Sequence, residues 1–235
     1  MEPLEYQEKR PDNIRRATPG HPYAHHIRTL PAQLEALSAG LRLEPGDRVL
    51  DYGCADLPYR HFVGPGREYV GADLAGNPLA SLTLTPDGTV PADDESFDAI
   101  LSTQVLEHVT DPALYLSECT RLLRPGGRML LSTHGVFVYH PDPQDLWRWT
   151  CEGLRKAVTD AGLEVERFEG IIGLVPTGLQ LVQDGLWGRV PARIRPAFAR
   201  VMQGLVAVAD RAETQESRDY NGQVFALVAS KPAAP

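Results

Sequence analysis

Two short apolar stretches in the first third of this sequence each end in an aspartate. The first is Val49-Leu50-Asp51-Tyr52-Gly53-Cys54, and the second, residues 68–72, is followed by Asp73. Small residues after a strand let a ligand approach the backbone closely. A carboxylate about 20 residues after such a turn commonly accepts hydrogen bonds from ribose hydroxyls. The spacing therefore predicts a site for a ligand that contains a nucleoside.

The charges in the first loop narrow the choice of ligand. A dinucleotide needs glycines at a helix N-terminus to receive its pyrophosphate, whereas Asp51 and Asp56 here would repel that group. This argues against an NAD-dependent oxidoreductase. The loop suits a ligand with a positive end. S-adenosylmethionine has one, because it carries an ammonium and a sulfonium beside its ribose and adenine.

The composition of the 235 residues excludes several classes of protein. The net charge is −8, whereas binding to a nucleic-acid backbone requires a basic surface. Cys54, Cys119 and Cys151 form no C-x-x-C pair, so neither a disulfide framework nor a zinc knuckle is predicted. The longest apolar stretches, near 170–175 and 204–209, are too short to span a bilayer, and a cytoplasmic location is expected.

Strand and helix patterns alternate along the chain after Pro45-Gly46. The predicted strands are 48–51, 68–73, 82–84, 97–102, 129–133, 163–168 and 223–229. A helix is predicted over 23–41, with Pro31 kinking it or marking its start. Further helices are predicted after Asp111-Pro112, after Thr150, and over most of 176–211. This alternation predicts an α/β fold, with a parallel sheet covered by helices on both faces.

Five segments carry a resemblance to one family. They are Val49-Leu50-Asp51-Tyr52-Gly53-Cys54, Tyr69-Val70-Gly71-Ala72-Asp73, Asp87-Gly88, the stretch 96–108 that ends in Glu107-His108, and the stretch 122–128 that contains Pro125-Gly126-Gly127. In these segments, and in their order, the chain resembles the class I S-adenosylmethionine-dependent methyltransferases, within the broad type 11-like group. The resemblance implies a Rossmann-like, mostly parallel sheet of seven strands, with helices on both faces and a C-terminal helical lid.

The resemblance also implies a cofactor site. Asp51 and Gly53 would hold the methionine end of S-adenosylmethionine, Asp73 its ribose hydroxyls and Asp87 its adenine amine. The full predicted set is Asp51, Gly53, Cys54, Asp73, Leu74, Asp87, Gly88, Thr103 and Gln104. Ala55 and Leu57 stand where the family usually has two further glycines, which predicts a differently shaped turn.

Methyl transfer to a hydroxyl calls for a base near the carboxyl ends of the strands. His108, His134 and His140 are the candidates, with Asp145 behind them, although His108 is also suited to a scaffold role at the start of a helix. Some O-methyltransferases hold a divalent cation with a Glu-x-x-Glu-His motif. Here the first position is Gln104, and an amide weakens binding of a hard cation. No metal is therefore predicted, and Glu107 and His108 are the candidate ligands if one binds.

Substrate recognition is predicted in two segments. Trp147 and Arg148 offer an aromatic face and a guanidinium for a sugar or an anionic group, the alternative being a packed Trp and an Arg paired with Asp145. In similar methyltransferases an N-terminal arm folds over the cofactor. Tyr23 and His26 would then close the pocket, the alternative being a solvated helix start.

These features predict one domain in four parts: an arm and helix over 1–44, a cofactor-binding core over 45–170, a helical lid over 171–211, and the last strand and tail over 212–235. The expected activity is methyl transfer to a small molecule such as a secondary metabolite or sugar. Oxygen is favoured over nitrogen because Ser102-Thr103-Gln104-Val105 replaces the Asn/Asp-Pro-Pro-aromatic motif of amino-group methyltransferases. The alternatives are a lipid-linked glycan as acceptor, with peripheral membrane contact, and a cofactor-binding module without catalysis. A monomer and a homodimer are both compatible with the sequence.

Overall fold

A computed structural model describes residues 17–233 of the chain, so most of the predicted N-terminal arm, residues 1–16, lies outside the described residues. The strands are β1 (Arg48–Tyr52), β2 (Glu68–Asp73), β3 (Leu82–Thr83), β4 (Phe97–Thr103), β5 (Leu123–His134), β6 (Glu164–Ile171) and β7 (Val224–Ser230). The helices are α1 (Ala24–Ser38), α2 (Pro112–Leu122), α3 (Cys151–Asp160), α4 (Leu174–Trp187), α5 (Arg195–Ala212) and α6 (Gln215–Asn221).

The seven strands form one sheet in the order β3-β2-β1-β4-β5-β7-β6. The pairs among β1 to β5 are parallel, and β7 runs antiparallel to both β5 and β6. The predicted Rossmann-like, mostly parallel sheet is thereby confirmed. The strand order reverses between β1 and β4, and in such sheets ligands bind beyond the carboxyl ends of the strands at this point.

Both faces of the sheet are buried against helices. On one face, α2 and α3 pack against a cluster that includes Leu50 and Ile100. On the other face, Leu34 and Leu37 of α1 pack against a cluster that includes Val49. Successive side chains of a strand point to opposite faces, so neighbours such as Val49 and Leu50 serve the two cores.

Helix α1 decides between two alternatives of the sequence prediction, and two other elements differ from that prediction. Helix α1 begins at Ala24 and runs through Pro31, although proline cannot donate to the carbonyl four residues earlier. Burial of Leu30, Leu34 and Leu37 in the core offsets the lost hydrogen bond. Strand β5 begins at Leu123, before the Pro-Gly-Gly turn. The part over 212–235 was predicted as the last strand and tail, but its first residues also form helix α6, which packs on β6.

Helices α4 and α5 form an antiparallel pair, termed here the α4–α5 hairpin (174–212). The chain breaks between them at 188–191, and Pro196 occupies the first turn of α5. The inner side of the hairpin packs on α1 and on the segment that precedes it, through contacts such as Gln183 Nε2 to the carbonyl of Pro22 at 2.6 Å. Within the described residues, the helices fall short of the length and apolar character needed to cross a membrane.

Candidate functional site

A cavity of about 480 Å³ opens at the carboxyl ends of β1, β2 and β4. Its walls are the loops that follow these strands, residues 84–89 after β3, and the first turns of α2. Six of the residues predicted to bind the cofactor line it: Gly53, Asp73, Leu74, Asp87, Gly88 and Gln104. A volume of this size lies within the range of small-molecule sites.

The loop after β1 has left-handed backbone at three alternate positions. Gly53 has a φ of 85°, and a Cβ there would lie 2.6 Å from a Val105 methyl group, so the position requires glycine. Ala55 and Leu57, where the family usually has glycine, have φ values of 44° and 63°. The turn therefore adopts the backbone conformation that glycine favours, at the energetic cost that side chains incur there.

Asp73 joins the loops after β1 and β2. Its carboxylate accepts hydrogen bonds from the N–H groups of Ala55 and Leu74, each at 2.8 Å, and from the Asn77 amide at 2.7 Å. The side chain is 7% exposed and lies in the cavity wall. Asp73 thus fixes the shape of the site besides presenting its carboxylate to it.

Asp51, Cys54 and Thr103 lie in the same loops but are buried beside the cavity. Asp51 Oδ2 accepts a hydrogen bond from the Tyr69 hydroxyl at 2.6 Å, and Oδ1 has no hydrogen-bond partner among the described residues. Burial raises the pKa of Asp51 to about 7, against the opposing effect of the Tyr69 hydrogen bond. Cys54 Sγ packs against Gly71, where a Cβ would lie 2.8 Å from it.

Two tyrosines and the turn at residues 87–89 form the wall of the cavity next to α2. The rings of Tyr52 and Tyr115 are 4.3 Å apart, and the Tyr52 hydroxyl donates to the carbonyl of Gly88. Thr89 Oγ1 donates to Asp87, which shapes the turn. Sequence reasoning missed the face of α2 that completes this wall: Asp111, Leu114, Tyr115 and Glu118. These four residues recur at spacings of three and four, which places them on one side of a helix. This spacing could have identified them from the sequence.

The three candidate catalytic histidines lie together beside this cavity. The ring centroids of His108 and His140 are 5.1 Å apart, and those of His134 and His140 are 4.6 Å apart. His108 lines the cavity, whereas His134 is 3% exposed and stacks on Phe137 at 4.1 Å. Burial lowers the pKa of all three imidazoles, so the neutral, proton-accepting form is favoured.

His108 is held in one tautomer by the loop above it. Its Nδ1 contacts the carbonyl of Gln144, and the Gln144 amide in turn donates to the carbonyl of His108 at 2.5 Å. A carbonyl accepts hydrogen bonds and cannot donate them, so Nδ1 carries the proton and Nε2 has the free lone pair. This is the arrangement that a general base requires.

Glu107 is buried behind the histidines. Its Oε2 accepts a hydrogen bond from Thr133 at 2.9 Å, while Oε1 approaches His134 Nδ1 at 3.1 Å without hydrogen-bond geometry. Burial raises the pKa of Glu107 to about 7. Glu107 groups with His134 and His140 within 4.8 Å, and His108 groups instead with His140 and Asp145. The two candidate metal ligands thus fall in different groups, and the predicted absence of a metal stays a prediction.

Arg148 holds the loop between β5 and α3. Its two terminal nitrogens each donate to Asp145 at 2.6 Å, and they also donate to the carbonyls of Trp147 and Val138 at 2.7 Å. Its Nε donates to the carbonyl of Phe137 at 3.1 Å. A guanidinium has five N–H groups, so all are used and none is left for a substrate. The arrangement is the Arg–Asp pair that the sequence had left as the alternative.

The segment before α1 reaches the same loop through Phe137. The Tyr23 and His26 rings lie 6.2 Å and 5.4 Å from the Phe137 ring, and His26 Nδ1 is 2.8 Å from the Gln223 side chain. Trp147 donates from Nε1 to the carbonyl of Val109 at 2.8 Å and keeps 40% of its surface exposed. Tyr23 and His26 therefore reach the histidine cluster through Phe137, which stacks on His134, and Trp147 lies partly exposed on the same loop.

A family model described as a methyltransferase domain matches residues 23–167, which span β1 to β5 and the whole cavity. The chain belongs to this methyltransferase domain family. Phosphoethanolamine N-methyltransferase 2 of Haemonchus contortus, solved with S-adenosylmethionine, shares the fold with a TM-score of 0.54 and 18% identity, over 86% of this chain and 52% of that one.

Two curated relatives of this methyltransferase domain are named ubiquinone biosynthesis O-methyltransferase. The Cereibacter sphaeroides protein is 40% identical over 111 residues, or 41% of this chain and 44% of the relative. The Dinoroseobacter shibae protein is 34% identical over 158 residues, or 54% of this chain and 64% of the relative. The chain thus matches about half the length of these relatives.

The cavity of this methyltransferase domain fits S-adenosylmethionine. Gly53 lines the cavity at a position where Val105 leaves no room for a Cβ, and the acidic residues Asp73 and Asp87 lie in the cavity wall. The unpaired Oδ1 of Asp51 is a buried acceptor at the end where a cationic group is expected. These groups suit the ribose, adenine and ammonium of the cofactor.

Proposed function

We propose that this chain transfers the methyl group of S-adenosylmethionine to a hydroxyl oxygen of a small molecule. The observation that carries the proposal is His108, which lines the cofactor cavity with Nδ1 engaged by the Gln144 carbonyl and Nε2 free to accept a proton. Oxygen nucleophiles release a proton on methylation, and a positioned neutral imidazole can take it.

Each part of the site has a role in this reaction. S-adenosylmethionine supplies an electrophilic methyl group when bound. Asp73, Asp87 and Gly53, which line the cavity, would hold it at the carboxyl ends of the strands. The acceptor hydroxyl would give its proton to His108 Nε2, and transfer of the methyl group from sulfur to that oxygen would leave a methyl ether and S-adenosylhomocysteine. Holding the acceptor in line with the methyl group supplies a large part of the rate.

The choice of oxygen rests on two observations besides His108. The segment after β4 reads Ser102-Thr103-Gln104-Val105, unlike the motif of amino-group methyltransferases. The curated relatives are named O-methyltransferases. We extend the proposal to an acceptor with a phenolic or sugar hydroxyl, as in a secondary metabolite.

The first experiment is isothermal titration with S-adenosylmethionine, S-adenosylhomocysteine and NAD. The wild type should bind the first two at micromolar concentration, and Asp73→Ala should weaken both by tenfold or more, by about 1.4 kcal/mol. Asp93→Ala, which removes an exposed carboxylate outside the cavity wall, is the matched control and should bind as the wild type does. A well-folded wild type that binds neither compound, or prefers NAD, would overturn the proposal.

A second candidate is an acceptor carried on a lipid. The observation that favours it is the exposed apolar surface of the α4–α5 hairpin. Conversion of S-adenosylmethionine to S-adenosylhomocysteine with free and lipid-linked hydroxyl acceptors separates the two. The non-catalytic alternative predicts cofactor binding without turnover on either acceptor.

A further inference from the structure

The outward face of α4 is apolar, and its inward face is largely polar. The exposed side chains include Leu174, Val175, Leu181, Val182 and Leu186. The buried ones are Pro176, Thr177, Gln180 and Gln183. At 100° per residue, the exposed set forms a stripe opposite the buried set. Helices of a soluble domain have the reverse pattern, so the stripe requires a partner.

Helix α5 extends the same apolar surface. Val201 and Val208 are 63% and 64% exposed, and Leu205 is 50% exposed, at spacings of four and three residues. Ile194, which directly precedes α5, is 48% exposed. At the turn between the helices, the Trp187 ring lies 6.4 Å from that of Phe198, and Arg195 lies over it at 5.5 Å. Aromatic and arginine side chains of this kind are common at membrane interfaces.

The charges of the hairpin differ from those of the whole chain. The hairpin has five arginines and two aspartates, whereas the chain carries a net charge of −8. Both aspartates face inward: Asp210 accepts from His25, and Asp184 accepts from Gln180. Arg200 and Arg211 are exposed, and within the described part of the chain neither has an acidic partner. Their spacing of 11 residues places them on one edge of the α5 stripe.

We propose that the outward face of the α4–α5 hairpin binds the surface of a lipid bilayer with anionic headgroups. The apolar stripe enters the acyl boundary, and the exposed arginines contact the headgroups. A second copy of the chain fits this face less well, because a twofold interface would bring arginine rows of equal charge together. The inference goes beyond the proposed function, since it requires neither cofactor nor acceptor.

The test is co-sedimentation of the full chain with vesicles of phosphatidylcholine, alone or mixed with phosphatidylglycerol. The wild type should bind the mixed vesicles, and added salt should weaken this binding. Val182→Glu and Leu205→Glu should each lower the bound-to-free ratio by about tenfold. Arg200→Gln combined with Arg211→Gln should lower it on mixed vesicles by about tenfold as well. Leu79→Glu, at a side chain that is 49% exposed and outside the hairpin, is the matched control and should bind normally.

Each outcome decides the proposal. Loss of binding in the hairpin variants, with thermal unfolding midpoints and S-adenosylmethionine affinity at wild-type values, supports it. Absence of wild-type binding overturns it, as does equal binding to neutral vesicles or equal loss in Leu79→Glu. Sedimentation equilibrium of the same proteins gives the remaining outcome. A wild-type dimer that Val182→Glu dissociates, without vesicle binding, would assign the face to a second copy instead.

Discussion

At the scale of single residues, His108 shows how position selects one base among similar groups. Three histidines with lowered pKa values meet within a few ångströms, yet His108 lies in the cavity wall and has its Nδ1 bound to a carbonyl. His134 is enclosed between Phe137 and Glu107. Under the proposed function, this difference makes His108 the proton acceptor and leaves His134 and His140 to hold its surroundings.

Replacing His108 with Gln should lower kcat by about 10² to 10⁴ and leave the KM for S-adenosylmethionine nearly unchanged. The wild-type kcat should fall with decreasing pH, with a midpoint below 6.5, because burial lowers the pKa of His108. The residual activity of His108→Gln should not show this fall of kcat at low pH. Steady-state kinetics across pH measure both, with the exposed His61→Gln as control. An unchanged kcat in His108→Gln would remove the assigned role.

Asp51 should make stability depend on pH. Its pKa is about 7 in the folded state, against the ordinary aspartate value of 3.8 in the unfolded chain, so the folded state binds this proton more tightly. The contribution of this bound proton to the free energy of unfolding is complete below pH 3.8 and is lost as pH rises toward about 7. Asp51→Asn should remove this loss, on the order of 4 kcal/mol between the two limits. Urea unfolding at several pH values tests this, with the exposed Asp93→Asn as control. Parallel pH profiles for Asp51→Asn and wild type would contradict it.

At the scale of elements, close backbone contact explains how α6 covers the edge of the sheet. Gly170 lies in β6, and a Cβ there would be 1.8 Å from the carbonyl oxygen of Arg218 in α6. Asp219 accepts a hydrogen bond from the Gly170 N–H at 2.8 Å. The strand and the short helix thus meet backbone to backbone, which a side chain at residue 170 would prevent.

Gly170→Ala should destabilise the fold by about 3 kcal/mol or more, because the added methyl group would displace backbone. Gly178→Ala is the matched control. It places the same methyl group on an exposed turn of α4 where nothing lies within 4 Å, and it should stabilise the protein by about 1 kcal/mol. Chemical denaturation of both variants gives the comparison. Equal effects of the two substitutions would contradict the steric explanation for Gly170.

At the scale of the whole molecule, a buried amide network connects the hairpin to α1. Gln203 Nε2 donates to the side-chain oxygens of Gln180 at 2.8 Å and Gln183 at 3.0 Å, while its Oε1 accepts from the His25 N–H at 2.8 Å. Both N–H groups and the carbonyl oxygen of the Gln203 amide therefore form hydrogen bonds. Networks of this kind stabilise a unique packing when complete and are costly when broken.

Gln203→Leu should destabilise the protein by about 3 kcal/mol, because it leaves two buried carbonyl oxygens and one N–H unpaired. Hydrogen exchange should rise in α1, α4 and α5 more than in β1 and β4, since the network joins the hairpin to the rest of the fold. Gln33→Leu, on the exposed side of α1, should change stability by less than about 0.5 kcal/mol. A uniform rise in exchange across the sheet would contradict this local effect.

The sequence by itself determined the sheet and the end of the sheet at which the cavity lies. Strands such as Glu68–Asp73 are readable because they are apolar, short and bounded by turn residues. The residues of a motif such as Asp51 to Cys54 are adjacent in the chain, so the motif can be recognised from the sequence alone. The sequence left open whether Pro31 lies inside α1 or at its start, and it missed helix α6, because core burial and contact with β6 decided them.

Only the tertiary structure decided which contacts the candidate side chains make. Arg148 had two interpretations in the sequence, and the folded loop satisfies all five of its N–H groups. Of the three candidate histidines, His108 had a scaffold role as its alternative in the sequence, whereas packing placed His108 in the cavity wall and buried His134. The segment 171–211 was predicted to form a helical lid, and the fold turned several apolar residues of α4 outward. The physical reason is common to all three: hydrogen-bond saturation, burial and facing direction depend on neighbours that are distant in the chain.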